Sequence, residues 1–311
     1  MSPLEPLHVS WVVITHVVDP DLWRALASCR QAESDEIVLV VNGRERGDCW
    51  RRLIAEASDY GWMLEGSTIA SPGSVVVDEG VGFTPFVVSE LARFVEMELG
   101  ARHDGWEGRL RLVRSRGYGA PVNFSLGCFL AQGAWIARLD RDDVARPDRL
   151  AKQLDIVRAC GDKHNLGLVY SAVTWMTDTG KITHGPLPPL THDAARRALR
   201  WRNRIWHPTW LIRKAALERA DYYPLVRYAE DYGLLLRLLW MGYELHASPA
   251  ELTMVCKTFR RSTTAYIDMA KYMWTYGFRS ANGWVWIIAA LVQVAKGIIK
   301  GLSNRLAKRV G

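Results

Sequence analysis

The sequence predicts an α/β fold, a mostly parallel sheet with helices on both faces. Three observations predict it. Short apolar runs bounded by turn residues alternate with segments of helical spacing. The composition is ordinary for a globular chain, with 49% hydrophobic and 23% charged residues among 311. Finally, Asp140, Asp142 and Asp143 crowd the end of an apolar run, and ligands of open α/β sheets bind at the carboxyl ends of strands.

In chain order, "HVSWVVITHV" predicts a buried strand over residues 9–14. "DPDLWRALASCRQA" predicts a helix with Leu22, Ala25, Leu26 and Cys29 on one face, and "DEIVLVVNG" a second buried strand over 36–41, closed by Asn42-Gly43. "CWRRLIAEA" and "TPFVVSELARFVEMEL" both have helical spacing. The stretch between them, "EGSTIASPGSVVVDEGVG", reads as loop, so an insertion is expected over about 51–84. The alternation resumes with a strand over 109–113, a Gly-rich turn "RSRGYGAP", a helix over 122–132 closed by Gly133, and a strand over 134–139. Pro147 is expected at the first position of the next helix and Asp148 in its first turn, with Leu150, Leu154 and Val157 on one face.

The five cysteines are scattered and form no CxxC pair. This argues against a disulfide framework or a zinc ribbon and fits a reducing compartment. The opening "MSPLEPLHVS" has neither a basic n-region nor a long apolar h-region, so no secretory signal is expected. There is no internal repeat. The net charge of +7 is uneven: residues 264–311 hold seven Lys/Arg and one acid, or +6, which leaves +1 for the first 263. The basic excess belongs to the tail, and no nucleic-acid partner is assigned. Residues 1–262 are therefore read as the main domain and 263–311 as a basic, amphipathic helical tail. Its uncharged run, 280–295, has 16 residues, short of the about 20 a membrane span needs. With Trp284 and Trp286 it suits an interfacial helix. The alternative is a helix packed on the domain or on a second subunit.

Asp140 and Asp142, two apart on an extended segment, can point the same way. Hard oxygen ligands suit Mg²⁺ or Mn²⁺, which keep positions open for waters and phosphate oxygens. The alternative is a solvated acidic turn with Arg138, Arg141 and Arg146 as partners. Glu230 and Asp231 open a helix whose apolar residues are Leu234, Leu235, Leu238 and Leu239, with Gly242 at its end. A helix N-terminus favours the ionised carboxylate a general base requires; equally, the pair caps the helix. His207, among Trp201, Trp206 and Trp210, either lines a site or is a hydrogen-bonded structural residue. Gly117 and Gly119 either admit a diphosphate or simply make a turn.

Two blocks carry a family resemblance. "NFSLGCFLAQGAWIARLDRDDVARPDRLAKQL" resembles the central signature of family 2 glycosyltransferases, with Asn123, Gly133, Asp140, Asp142, Asp143, Pro147 and Leu150 matching. Downstream, "HPTWLIRKAALERADYYP" followed by "YAEDYGLLLRLLWMGYEL" resembles the family's HPT segment and its acceptor-side ED helix. The resemblance spans about residues 8–262, with a gap across the insertion. It implies a GT-A fold, a Rossmann-like mixed sheet flanked by helices. It also implies inverting transfer from a nucleotide-diphosphate sugar to a glycan or lipid-linked glycan, of the bacterial cell-surface polysaccharide type.

On the matching positions the resemblance implies Mg²⁺ or Mn²⁺ at Asp140 and Asp142, and Asp231 as base with Glu230 beside it. Thr15, Asn42, Gly117, Asn123 and Asp140 would serve the nucleotide, and Asp143 and His207 the acceptor side. The expected place of work is the cytoplasmic face of a membrane, held peripherally by the tail. The chain departs from the family at Asn42-Gly43-Arg44, where Asp-Asp-Gly-Ser is usual, at Thr15-His16, where an Asn is usual, and at Phe259, which takes the His position of Tyr-Arg-x-His. Two rival classes remain: a Mg²⁺-dependent nucleotidyltransferase or phosphohydrolase, and a non-catalytic, membrane-associated glycan-binding protein.

Overall fold

Strands β1 (Val9–Thr15) and β2 (Glu36–Val41) pair in parallel at the middle of the sheet. Their side chains alternate between two cores. Trp11, Val13, Ile37 and Leu39 enter one apolar cluster, and Val12, Val38 and Val40 enter the other. Period-two alternation with both faces apolar is what a sheet covered on both sides requires. The structure, a computed structural model, describes residues 8–42, 46–68, 91–92, 94–117, 119–161, 165–177, 179–224, 229–256, 263–277 and 283–310.

Between β1 and β2 lies α1 (Pro20–Cys29), capped by Asp19, whose side chain accepts from Leu22 N. After β2 come α2 (Arg46–Glu56), a 3₁₀ turn (Ala57–Tyr60), β3 (Trp62–Thr68), β4 (Val95–His103) and β5 (Trp106–Ser115). There follow α3 (Ala120–Leu130), β6 (Trp135–Arg138), the short β7 (Val144–Ala145) and α4 (Arg149–Cys160). The second half comprises β8 (Leu166–Met176), β9 (Ile182–His184), α5 (His192–Leu199), β10 (Leu211–Arg213), α6 (Lys214–Arg219), α7 (Glu230–Trp240), β11 (Glu244–Val255), α8 (Thr263–Gly277) and α9 (Gly283–Val310).

The strand order is β3-β4-β5-β2-β1-β6-β10-β8-β11-β7, with β9 on β8. β5, β2, β1 and β6 are mutually parallel, whereas β10 runs antiparallel to both β6 and β8. The mixed sheet is the GT-A architecture. Its parallel centre brings the carboxyl ends of β1, β2, β5 and β6 to one edge. The reversed β10 brings the segment before it, residues 207–209, to that same edge.

Three sequence expectations change. The helix expected over 84–99 is β4 from Val95 onward. Glu96 and Glu98 there meet Arg114 and Arg111 of β5, cross-strand pairs that local spacing does not reveal. Within the expected insertion, residues 51–68 are helix, turn and strand, with Leu53, Ala57 and Trp62 buried in the core; the rest, to 84, lies outside the described residues. Helix α4 starts at Arg149, so Asp148 is its N-cap and Pro147 precedes it.

The tail is built onto the domain. Met269, Ala270 and Met273 of α8 and Trp286, Ala289 and Ala290 of α9 join the same apolar cluster as Leu234, Leu235 and Leu238 of α7. Among the described residues, no helix is long and apolar enough to cross a membrane.

Candidate active site

Two carboxylate groups face the common edge. The first lies on the turn after β6. Asp140 is partly exposed, and one of its oxygens accepts from Arg138 at 2.5 Å. Asp143 N donates to Asp140 O, closing the turn. Asp142 is half-buried. Asp143 is turned inward: its Oδ1 accepts from Cys256 N at 3.1 Å, tying the turn to the end of β11, and its Oδ2 meets no partner among the described residues. Burial, reinforced by the charge of Asp140, pushes the Asp143 carboxyl well above the usual carboxylate range.

Two arginines that the sequence reading set beside a solvated acidic turn, Arg138 and Arg141, are held in place here, and Arg149 lies beneath them. Arg138 is buried, its guanidinium lies 4.4 Å from the Phe124 ring centroid, and its Nε and one terminal nitrogen have no hydrogen-bond partner among the described residues. Arg141 reaches back to Asp19, the cap of α1. Arg149 is fully buried beneath the turn. It donates to Arg138 O, Pro208 O, Trp210 O, Thr253 Oγ1 and Gln153 Oε1, and its guanidinium lies 4.7 Å from the Trp11 ring centroid. One planar fork thus ties the end of β6, residues 208–210 and β11 together.

The second group opens α7. Ala229 holds a left-handed conformation, φ 58° and ψ 28°, immediately before Glu230. For a residue with a Cβ this costs about 1–2 kcal/mol, and it turns Glu230 and Asp231 toward the edge. Asp231 accepts Asn203 Nδ2 at 2.8 Å on one oxygen and Tyr232 N at 2.7 Å on the other. Tyr232 in turn donates from its hydroxyl to Leu199 O, anchoring α7 to α5. Burial and the neighbouring Asp231 push Glu230 up to about 7, against the pull of Arg138. Arg138 therefore acts electrostatically on both groups, on Asp140 by direct contact and on Glu230 through space.

The remaining predicted residues shape the edge from behind. Thr15 is buried, exchanges hydrogen bonds with the backbone of Val17, and accepts Asn42 N on its carbonyl at 2.8 Å. This brings Thr15 and Asn42 side by side at the ends of β1 and β2. Asn123 is fully buried and donates both amide hydrogens to the Gly-rich turn, to Gly117 O at 3.0 Å and Gly119 O at 2.7 Å. A Cβ on Gly117 would come within 2.8 Å of Val122 and 3.0 Å of Asn123 Oδ1, so only glycine fits. His207 is caged by Phe124, Trp210 and Tyr223 and hydrogen-bonded to the Tyr223 hydroxyl at 2.8 Å. Burial and the nearby Arg138 hold it well below the usual histidine range. Asp143 faces inward, whereas His207 stays partly exposed at the edge.

The oxygen donors of Asp140 and Asp142 suit Mg²⁺ or Mn²⁺, which bind through one or two carboxylates plus substrate phosphates. Among the described residues no set of three His, Cys, Asp or Glu side chains could hold a metal ion. Phe259, Gly43 and Arg44 lie outside the described residues. Sequence reasoning missed Arg138 and Arg149 as buried supports, Asn203 as the partner of Asp231, and Cys256 as the partner of Asp143. The signal available for the arginines was their position immediately beside predicted buried residues, Leu139 and Leu150.

The sequence model described as Glycosyl transferase family 2 matches residues 88–220. The amylovoran biosynthesis glycosyltransferase AmsE of Erwinia amylovora is 29% identical over 120 residues, 39% of this chain and 44% of that protein. Such alignments span between 25% and 54% of the curated relatives they match. Among solved structures, S. aureus TarS 1–349 in complex with UDP-GlcNAc is similar at TM-score 0.56 and 13% identity, over 92% of this chain and 72% of that one. The mannosyltransferase PcManGT from Pyrobaculum calidifontis, in complex with GDP-Man and Mn²⁺, is similar at TM-score 0.50 and 15% identity, over 95% and 75%. The structural likenesses agree with the fold, and the sequence match runs through the β6 turn and the HPT segment. Residues 88–220 of this chain are thus similar to glycosyltransferase family 2, and the chain has the GT-A fold.

Proposed function

We propose that this chain is an inverting, cation-dependent glycosyltransferase that moves a sugar from a nucleotide-diphosphate donor to a hydroxyl of a glycan or lipid-linked glycan. The observation that carries the reading is the pairing of two unlike carboxylate groups at one sheet edge, with Arg138 between them. Asp140 and Asp142 stand where four strands end, and Asp231 stands at the start of α7 with both oxygens placed as acceptors. Relatives named for polysaccharide biosynthesis, and fold neighbours in complex with UDP-GlcNAc or with GDP-Man and Mn²⁺, support it.

The chemistry is a single displacement. Asp231 takes the proton of the acceptor hydroxyl as that oxygen attacks the anomeric carbon. The bond between that carbon and the diphosphate oxygen breaks with inversion, and the nucleoside diphosphate leaves. Glu230, close to half-protonated near neutral pH, keeps a second full charge away from Asp231 while the base works. Asp140 and Asp142 would hold Mg²⁺ or Mn²⁺, which would neutralise the leaving diphosphate. Thr15, Asn42 and the Gly117 turn, shaped by Asn123, border the nucleotide. The place of work in this reading is the cytoplasmic face of a membrane, where a lipid-linked acceptor is presented and the basic C-terminal segment adheres.

A thermal-unfolding panel of nucleotide sugars, with and without Mn²⁺, tests the reading. One donor should raise the melting temperature only when Mn²⁺ is present, since a ligand at 100 times its Kd stabilises the native state by about 2.7 kcal/mol. If no nucleotide sugar does so while free nucleoside triphosphates do, the nucleotidyltransferase class takes its place.

A further inference from the structure

Helix α9 has two apolar faces. The inner one, Trp286, Ala289, Ala290, Gln293 and Gly297, recurs at helical spacing and is buried on the domain. The outer one, Trp284, Ile288, Leu291 and Ile298, also recurs at helical spacing, on the opposite side. These four are 67%, 44%, 58% and 59% exposed. At 100° per residue the two stripes lie about half a turn apart. One stripe is buried by the fold, and the other is exposed among the described residues.

The inner face is joined to the acceptor side of the site. Gln293 donates from Nε2 to Trp201 O at 2.8 Å, and the Arg200 guanidinium lies 5.9 Å from the Trp286 ring centroid. Residues 200–206 run on to Asn203, whose amide holds Asp231 and whose Oδ1 accepts from Ile205 N. Thus α9 braces the loop that positions the proposed base. The outer face belongs to a helix that carries Lys296, Lys300, Arg305, Lys308 and Arg309 and no acidic residue. Exposed tryptophan and aliphatic side chains on a purely cationic helix match an anionic lipid surface, by apolar insertion and by charge. A symmetric contact with a second copy would set the same cationic segment against itself.

We propose that α9 is a two-sided element: its outer stripe lies on an anionic bilayer surface, while its inner face, through Gln293 and Trp286, positions the loop that carries Asn203 and orients Asp231. The base is then presented at a fixed attitude to the membrane. Only the role at Asp231 rests on the glycosyl-transfer reading; the docking and the brace do not.

Two variants of the full chain separate the faces, each checked by its unfolding temperature. Leu291→Glu with Ile298→Glu should lower binding to phosphatidylcholine vesicles containing phosphatidylglycerol by at least tenfold and leave amide exchange in residues 200–206 unchanged. Gln293→Leu should bind those vesicles like the parent, raise exchange across 200–206 by about tenfold, and lower kcat by about 10- to 100-fold at unchanged donor KM. Vesicles of phosphatidylcholine alone should bind weakly in every case. The docking claim is overturned if the parent ignores anionic vesicles, or if the outer-face variant alters oligomeric state in light scattering instead of vesicle binding. The brace is overturned if Gln293→Leu leaves exchange in 200–206 at the parental rate. A parent that transfers no sugar defeats the proposed activity alone, because vesicle binding and exchange are read without it.

Discussion

The two carboxylate groups at the sheet edge are supported in opposite ways. On the β6 turn, anionic side chains rest on buried cations: Arg138 grips Asp140, and Arg149 spans the backbone beneath with five hydrogen bonds. At the start of α7, two carboxylates share one helix turn. Neutral donors hold Asp231, and Glu230 keeps its proton to about 7. The first arrangement sets Asp140 against a buried cation, as the proposed cation and diphosphate site requires. The second leaves charge unsettled near neutral pH, as proton transfer needs. Sequence spacing alone makes the two groups look alike, since each is a cluster of acids shortly before or at a helix start. What they rest on tells them apart.

The contrast can be broken at four points. The largest effect is expected at Asp231→Asn, which should lower kcat by about 10²–10⁴-fold, the usual size of general-base catalysis, while donor binding in thermal unfolding stays close to parental. A loss confined to donor affinity would move Asp231 to the donor side and erase the contrast. Asp142→Asn should remove the Mn²⁺-dependent stabilisation by nucleoside diphosphate, about 2.7 kcal/mol at 100 times Kd, with the fold intact. Normal turnover of this variant in EDTA would contradict the cation role. Arg149→Lys replaces a planar fork by a single ammonium and gives up about three hydrogen bonds. At about 1 kcal/mol each, denaturant unfolding should register a loss of about 2–3 kcal/mol, and an unchanged midpoint would deny Arg149 its spanning role.

The smallest effect concerns Glu230. Its folded carboxyl titrates near 7 against an ordinary 4.5, so the folded state holds the extra proton between those values. Stability should therefore fall as pH rises from about 4.5 to 7 and level off above. Glu230→Gln should remove that part of the decline. Parallel pH profiles of melting temperature for parent and variant would show that Glu230 is not under strain.

Much of this was readable in the chain. The strand at Glu36–Val41 and the helix at Glu230–Trp240 announce themselves by continuous apolar runs and by an acidic start followed by leucines. The carboxylates of both groups are visible as short motifs in a strand-to-helix context. What was hidden depends on distant partners. β4 is a strand because Glu96 and Glu98 find Arg114 and Arg111 across the ladder, whereas "SELARFVEMEL" read alone has helical spacing. Asn203 and Cys256 serve the site from 28 and 113 residues away from Asp231 and Asp143. The tail was read as one amphipathic helix, with packing on the domain as the alternative; that it has two apolar faces shows only when it is seen against α7 and the loop at 200–206.

The central claim is that bond-making occurs at the anomeric carbon and not at phosphorus. Turnover of the stabilising nucleotide sugar with an acceptor whose attacking hydroxyl carries ¹⁸O decides it. The account predicts ¹⁸O in the new glycosidic bond, an inverted anomeric configuration and an unlabelled nucleoside diphosphate. Recovery of ¹⁸O in a phosphate or phosphodiester product would contradict it and assign the β6 turn to phosphoryl chemistry.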